Sequence, residues 1–222
     1  MNKSISFKTN KVKASKPRRK TKSNSSGTKV DSRIMPLYDD IQRLKWVVWQ
    51  RGIYNPTTVP FIFPLSQQIN SGPKNQERVG DKVIVKKILF RYSLTYGDSN
   101  NIVRVMVFYQ KGRPIPGVSL SDFMDNGPSG SPDVFSMTYP YLHGQSYELL
   151  YDKTHVLVQG AQNATITNVA EIDCSHSLDY LADLNVSANG EFYLVWLSDS
   201  GLTPNPQLNS NWVVWYHDVG TF

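Results

Sequence analysis

A chain of 222 residues, 40% apolar and 12% aromatic, has the material for one domain with a sizeable core, and for two at most. No apolar run approaches the roughly 18 to 20 residues that span a bilayer, and the N-terminus lacks the apolar centre of a secretory signal. The single cysteine, Cys174, excludes an internal disulfide framework, so an intracellular product is expected.

The net charge of +6 is unevenly distributed. Residues 1–33 hold eight Lys and three Arg against one acid, Asp31, which leaves 13 basic and 17 acidic side chains for the other 189 residues. A mildly acidic body therefore carries a strongly basic arm. Within the arm, Lys8, Lys11, Lys13, Lys16, Arg18, Arg19, Lys20, Lys22 and Lys29 follow one another without an intervening acid. Like charges at this density repel each other, keep a segment unfolded and suit contact with nucleic acid. Neutralising phosphates releases counterions, which gives strong, salt-sensitive affinity without regard to sequence. Lys16-Pro17-Arg18-Arg19-Lys20-Thr21-Lys22 also has the character of a nuclear localisation signal. The expected division is a disordered arm over 1–33 and one domain over 34–222.

Beyond Met35-Pro36, short apolar runs alternate with turn residues. Lys45–Ile53 and Thr58–Ile69 come first, and Pro60 and Pro64 mark the second as an edge or irregular strand. Lys82–Tyr96 predicts the clearest strand, with Ile84, Ile88, Phe90, Tyr92, Leu94 and Tyr96 on one parity and Lys87, Arg91, Ser93 and Thr95 on the other. A turn at 97–101 leads to a nearly continuous apolar strand, Ile102–Gln110. Residues 111–146, with five prolines and five glycines, read as a long structured loop with a short helix around Leu120–Met124. Strands are then predicted over Tyr147–Val158, Thr165–Cys174, Leu178–Val186, Glu191–Ser198 and Asn211–His217, with turns at Ser187–Gly190 and Asp199–Ser210. About eight strands, few helices and no internal repeat predict an all-β fold, a single jelly-roll antiparallel sandwich.

No catalytic site is expected. The four histidines are His143, His155, His176 and His217. Cys174 and His176 share a strand face, but they lack the second pair of a structural zinc site and any context that would activate a nucleophile. Burial is the expectation for Cys174. Asp39-Asp40 and the pair Asp122/Asp125 could serve as oxygen ligands, though the second pair also suits an N-cap and the end of a loop helix. Neither a metal nor a cofactor is expected. The two W-V-V-W runs, Trp46–Trp49 and Trp212–Trp215, could offer stacking platforms for bases, but being apolar on both parities they favour burial between layers or at a subunit contact.

A basic arm on an acidic sandwich suits a closed shell whose wall is tiled by the body and whose arms face an enclosed genome. Sixty copies, the smallest icosahedral number (T=1), would supply on the order of 600 positive charges. The long loops then become contacts between subunits and outer-surface features.

The stretch NQERVGDKVIVKKILFRYSLTY (75–96), followed by NNIVRVMVFYQKGRP (101–114) and YELLYDKTHVL (147–157), resembles the capsid proteins of small circular Rep-encoding single-stranded DNA viruses, the circovirus-like group. The matching residues are Gln76, Arg78 and Gly80, the strand from Val83, then Asn101, Val103 and Arg104, and Leu150-Tyr151-Asp152-Lys153. They cover most of the body in order. The resemblance implies a single jelly roll, a 60-subunit virion around single-stranded DNA, and entry into the host nucleus through an import receptor recruited by the arm. A host attachment factor, of unstated identity, is also implied. The arm is rich in Lys where many circovirus arms are nearly pure Arg, which leaves open a satellite-virus-like capsid that packages RNA. Lys87 and Arg91, on the polar face of the strongest strand, are expected to line the shell interior. Arg104, placed on an adjacent strand, either joins them or pairs with an acid of the body. The rival outside this class is a non-viral basic-armed nucleic-acid-binding protein, acting as monomer or dimer.

Overall fold

The computed structural model describes residues 44–98, 100–114, 117–125, 134, 146–160, 164–181, 184–201 and 203–219, with the side chain of Arg51 left out. The basic arm, Asp39, Asp40 and His143 lie outside the described residues. Among the described residues there are nine strands: β1 (Leu44–Tyr54), β2 (Phe61–Pro64), β3 (Lys82–Thr95), β4 (Asn100–Gln110), β5 (Tyr147–Val158), β6 (Thr165–Tyr180), β7 (Ser187–Asn189), β8 (Glu191–Ser198) and β9 (Gln207–Asp218).

The pairing is nested. β4 pairs with β5, β3 with β6, β2 with β8 and β1 with β9, all antiparallel. The chain thus forms one long doubled ribbon. Rolling it up brings β9 against β3 and β8 against β4. The result is two sheets, β1-β9-β3-β6-β7 and β2-β8-β4-β5. This winding is the single jelly roll that the strand pattern predicts. β2, with Pro64 at its end, is an edge strand as its prolines require.

Three details differ from the sequence reading. In β3 the register shifts between Val85 and Lys87, and this one-residue bulge reverses the parity. Val83 and Val85 face the core ahead of it, and Ile88, Phe90, Tyr92 and Leu94 after it, so Ile84 is turned outward and only half-buried. Leu178–Val186 is not a separate strand. Its first residues extend β6 to Tyr180, and the short β7 occupies the expected turn at 187–190. The loop helix is a single 3-10 turn, Leu120–Asp122.

Two apolar clusters hold the sandwich. The larger lies between the sheets, where Trp196 stacks on Phe61 at 4.4 Å, Trp49 on Phe63 at 4.5 Å, and Trp212 lies 4.4 Å from Phe90. The smaller lies on the outer face of the second sheet, where Leu120, Phe123, Met124 and Val134 cover Met106, Phe108, Tyr193, Val195 and Leu197. That cover explains why β8 is buried on both parities and why β4 reads as a continuous apolar run.

At the β7–β8 junction Gly190 adopts φ +75°, and a Cβ there would press on the Ser177 carbonyl oxygen and lie 2.8 Å from the Tyr109 hydroxyl. G190A is expected to lower stability by roughly 1–3 kcal/mol or more, read as a lower denaturant midpoint at unchanged m.

Candidate nucleic-acid interface

Strand register fixes what the outer face of the first sheet presents. One row across it runs Trp46, Trp215, Lys87, Asp173, the next Val48, Val213, Leu89, Glu171, and a third Gln50, Asn211, Arg91, Val169. Lys87 and Arg91 therefore share this face, as their parity predicts. Lys87 Nζ lies 2.6 Å from Glu171 Oε2, and that contact holds the ammonium above its ordinary pKa. Arg91 is exposed.

The same register separates the two indoles within each W-V-V-W. Residues three apart on a strand point to opposite faces, so Trp49 and Trp212 enter the core while Trp46 is 44% exposed and Trp215 half-buried outside. Burial between the layers, one of the two expectations for these runs, holds for one Trp of each pair, and the other Trp lies on the outer face. The odd spacing carried that information.

Arg104 is not on this face. The rolled ribbon puts β3 in the first sheet and β4 in the second, so β4 neighbours β5 and β8 rather than β3. Arg104 lies on the outer side of the second sheet, 8% exposed, where Nε donates to Asp152 Oδ1 at 2.9 Å and Nη2 to Asp152 Oδ2 at 2.6 Å. Its Nη1 donates to the Val134 carbonyl at 3.3 Å, tying down the covering loop. Of the two roles open to it, the structure places it in the ion pair with a body acid and apart from Lys87 and Arg91. The N-x-V-R and L-Y-D-K segments thus meet through a bidentate, charge-assisted contact.

Other polar groups are occupied by the fold. Arg78 is buried over the Tyr180 ring at 4.1 Å and donates to the carbonyls of Gly80 and Leu184, each at 2.8 Å, which fixes the entry into β3. Tyr92 shares hydrogen bonds with Tyr151 (2.8 Å), His155 (2.7 Å) and Asn168 (3.1 Å) between the sheets. Burial pushes the His155 pKa down to about 4, so it is neutral at pH 7. Burial likewise raises the Cys174 thiol to about 11, and its Sγ donates to the Val85 carbonyl at 3.6 Å, which leaves it a poor nucleophile. His176 stacks on Tyr109 with ring centroids 4.1 Å apart. Ser119, rather than Asp122, is the N-cap of the loop turn, with Asp122 as its capping-box partner. Among the described residues no three His, Cys, Asp or Glu side chains converge as metal ligands.

Glu191 sits 3% exposed beside a cleft of about 890 Å³ lined by Ile62, Pro64, Arg113 and Tyr193. It accepts from the Ser66 amide at 3.0 Å, the Ser66 hydroxyl and the Phe192 amide at 2.9 Å. Desolvation outweighs these donors and raises its pKa to about 7.

No protein-family model matches the chain, and no curated protein does. Chains similar to it occur among the solved structures, in two of them as follows. One is a structure of infectious bursal disease virus Gx strain, with 6% identity over 81% of this chain and a TM-score of 0.31; this chain spans 34% of the length of that one. The other is a structure of deformed wing virus carrying the GFP gene, with 14% identity, 92% of this chain and 94% of that one covered, and a TM-score of 0.27. The fold assignment rests on the strand order.

Two outcomes are expected from this arrangement. R104M, which strands Asp152, is expected to cost about 1.5–3 kcal/mol in denaturant unfolding while leaving the salt dependence of nucleic-acid binding unchanged. Glu191 ionises near 4.5 in the unfolded chain and near 7 in the folded one. Its contribution to stability is therefore complete below about pH 4.5 and lost as pH rises to about 7. His155, with its folded pKa lowered, acts in the opposite sense: its contribution is present above about pH 6.5 and lost as pH falls toward 4. The difference in stability between wild type and E191Q should accordingly shift in favour of E191Q between pH 4.5 and 7, and stay level above it.

Proposed function

We propose that this protein is the subunit of a closed icosahedral virion shell of about 60 copies, and that residues 1–33 package a single-stranded genome, DNA in preference to RNA. The observation that carries the proposal is a complete jelly roll joined to an arm of 11 basic residues and one acid. Its first described strand, β1, begins at Leu44, ten residues after the arm. A sandwich with two broad faces and a long loop between β4 and β5 can tile a wall, while an unfolded cationic segment needs a polyanion and no fixed geometry. The role is structural rather than enzymatic. During infection Lys16–Lys22 engages a nuclear import receptor, so the protein passes through the host nucleus before it resides in the virion. An attachment factor on the host cell is a further partner of the assembled shell.

The DNA preference follows from the resemblance over residues 75–157, since an unfolded arm has no fixed site for a 2′-hydroxyl. Sedimentation velocity of the purified protein, recorded at 260 and 280 nm, tests the proposal. The expected species is about 60 times the 25.2 kDa chain, roughly 1.5 MDa before its contents are counted, with strong 260 nm absorbance that DNase, rather than RNase, removes after the shell is opened. A single species of one or two chains, in low salt with nucleic acid supplied, would contradict it and favour a basic-armed binding protein.

A further inference from the structure

The outer face of the first sheet differs from its counterpart on the second. Leu120, Phe123, Met124 and Val134 cover the second sheet, whereas Leu44, Trp46 and Val48 on the first remain 39%, 44% and 47% exposed. Trp46 and Trp215 stand directly opposite each other on β1 and β9. Opposed residues of neighbouring strands have Cβ atoms about 4.5–5.5 Å apart, so the two side chains rise from the same place on this face. Lys87 is the next residue across from Trp215, and Arg91 lies two rows along, level with Gln50 and Asn211.

We infer that Trp46 and Trp215 form a base-stacking platform for the single-stranded nucleic acid bound by the arm. The inference rests on the proposed packaging function and supplies it with a second, folded contact. Three observations choose this occupant. β1 begins at Leu44, so the eleven steps from residue 33, roughly 40 Å of fully extended chain at most, tether the arm within reach of this face. The indoles share their row with Lys87, and Arg91, Gln50 and Asn211 lie two rows along, beyond Val48, Val213 and Leu89, so one face offers stacking, charge and hydrogen bonds to successive nucleotides. Glu171, paired with Lys87, and Asp173 lie on β6, the far side of the face from β1, and their charge keeps phosphates toward β1, β9 and the arm. Stacking tolerates any base, so it adds affinity without sequence preference.

The test uses the full chain with two probes, a thirty-residue oligothymidylate and an inorganic polyphosphate of similar charge. Both should bind through the arm, but only the oligothymidylate should quench tryptophan emission. W46L/W215L is expected to weaken oligothymidylate binding on the order of tenfold or more, with polyphosphate affinity and the thermal midpoint unchanged. Photocrosslinking wild-type protein to an oligonucleotide containing 5-bromodeoxyuridine should label the peptides that hold Trp46 or Trp215, a readout that needs no variant. Equal oligothymidylate affinities for variant and wild type, or crosslinks confined to residues 1–33, would overturn the platform. So would loss of the large assembly at unchanged oligothymidylate affinity, which would make the face a contact between copies. Failure of wild type to bind polyphosphate would instead overturn the packaging function itself.

Discussion

The layer of aromatic side chains between the two sheets is the contact on which the rest of the structure depends. Trp196 from the second sheet and Trp212 from the first are each 0–1% exposed, and they reach the opposite sheet's neighbours through Tyr54, Phe61, Trp49 and Phe63. Each indole is worth about 3–5 kcal/mol against truncation to Ala, a large share of the roughly 5–15 kcal/mol that a domain has. Hydrogen bonding within each sheet fixes the ribbon, but nothing in a ladder makes one sheet face another. The aromatic layer does that, and so it sets which side chains are turned outward.

Once the inner faces are committed, the two outer faces have different fates. On the second sheet an apolar face is closed by part of the segment between β4 and β5, with Arg104 gripping both Asp152 and the Val134 carbonyl. On the first sheet Trp46, Trp215, Val213 and Leu89 share the surface with Lys87 and Arg91. An edge strand with an exposed apolar row is ordinarily a hazard for a soluble monomer. In the proposed shell, such a row would be covered by the enclosed nucleic acid.

Much of this was legible in the sequence, and the failures have identifiable causes. Five of the strand spans lie within a few residues of their predictions because their flanking turns hold Gly, Asn, Asp and Pro. β5 matches Tyr147–Val158 at both ends. The parity of β3 was misread because a bulge leaves no mark in composition: Val85-Lys86-Lys87 could continue an alternation or interrupt one. Two roles stay open for Arg104 in the sequence, beside Lys87 and Arg91 or paired with a body acid, because β3 and β4 are consecutive. The sequence does not tell that the ribbon rolls β3 into the first sheet and β4 into the second. The role of Arg78 was also hidden, since its partners at Leu184 and Tyr180 lie about 100 residues away. The exposed indoles could have been found, because a spacing of three on a strand always divides a pair between faces.

The central claim is that the arm neutralises an enclosed genome, and it is tested most directly by counting nucleotides per chain. Phosphorus and protein content would be measured on nuclease-treated particles from the wild type and from a full-length variant with Lys16, Arg18, Arg19, Lys20 and Lys22 changed to Gln. The account predicts about ten or more protected nucleotides per wild-type chain, falling by roughly half in the variant while the particle persists. An unchanged nucleotide count after that loss of charge would contradict it.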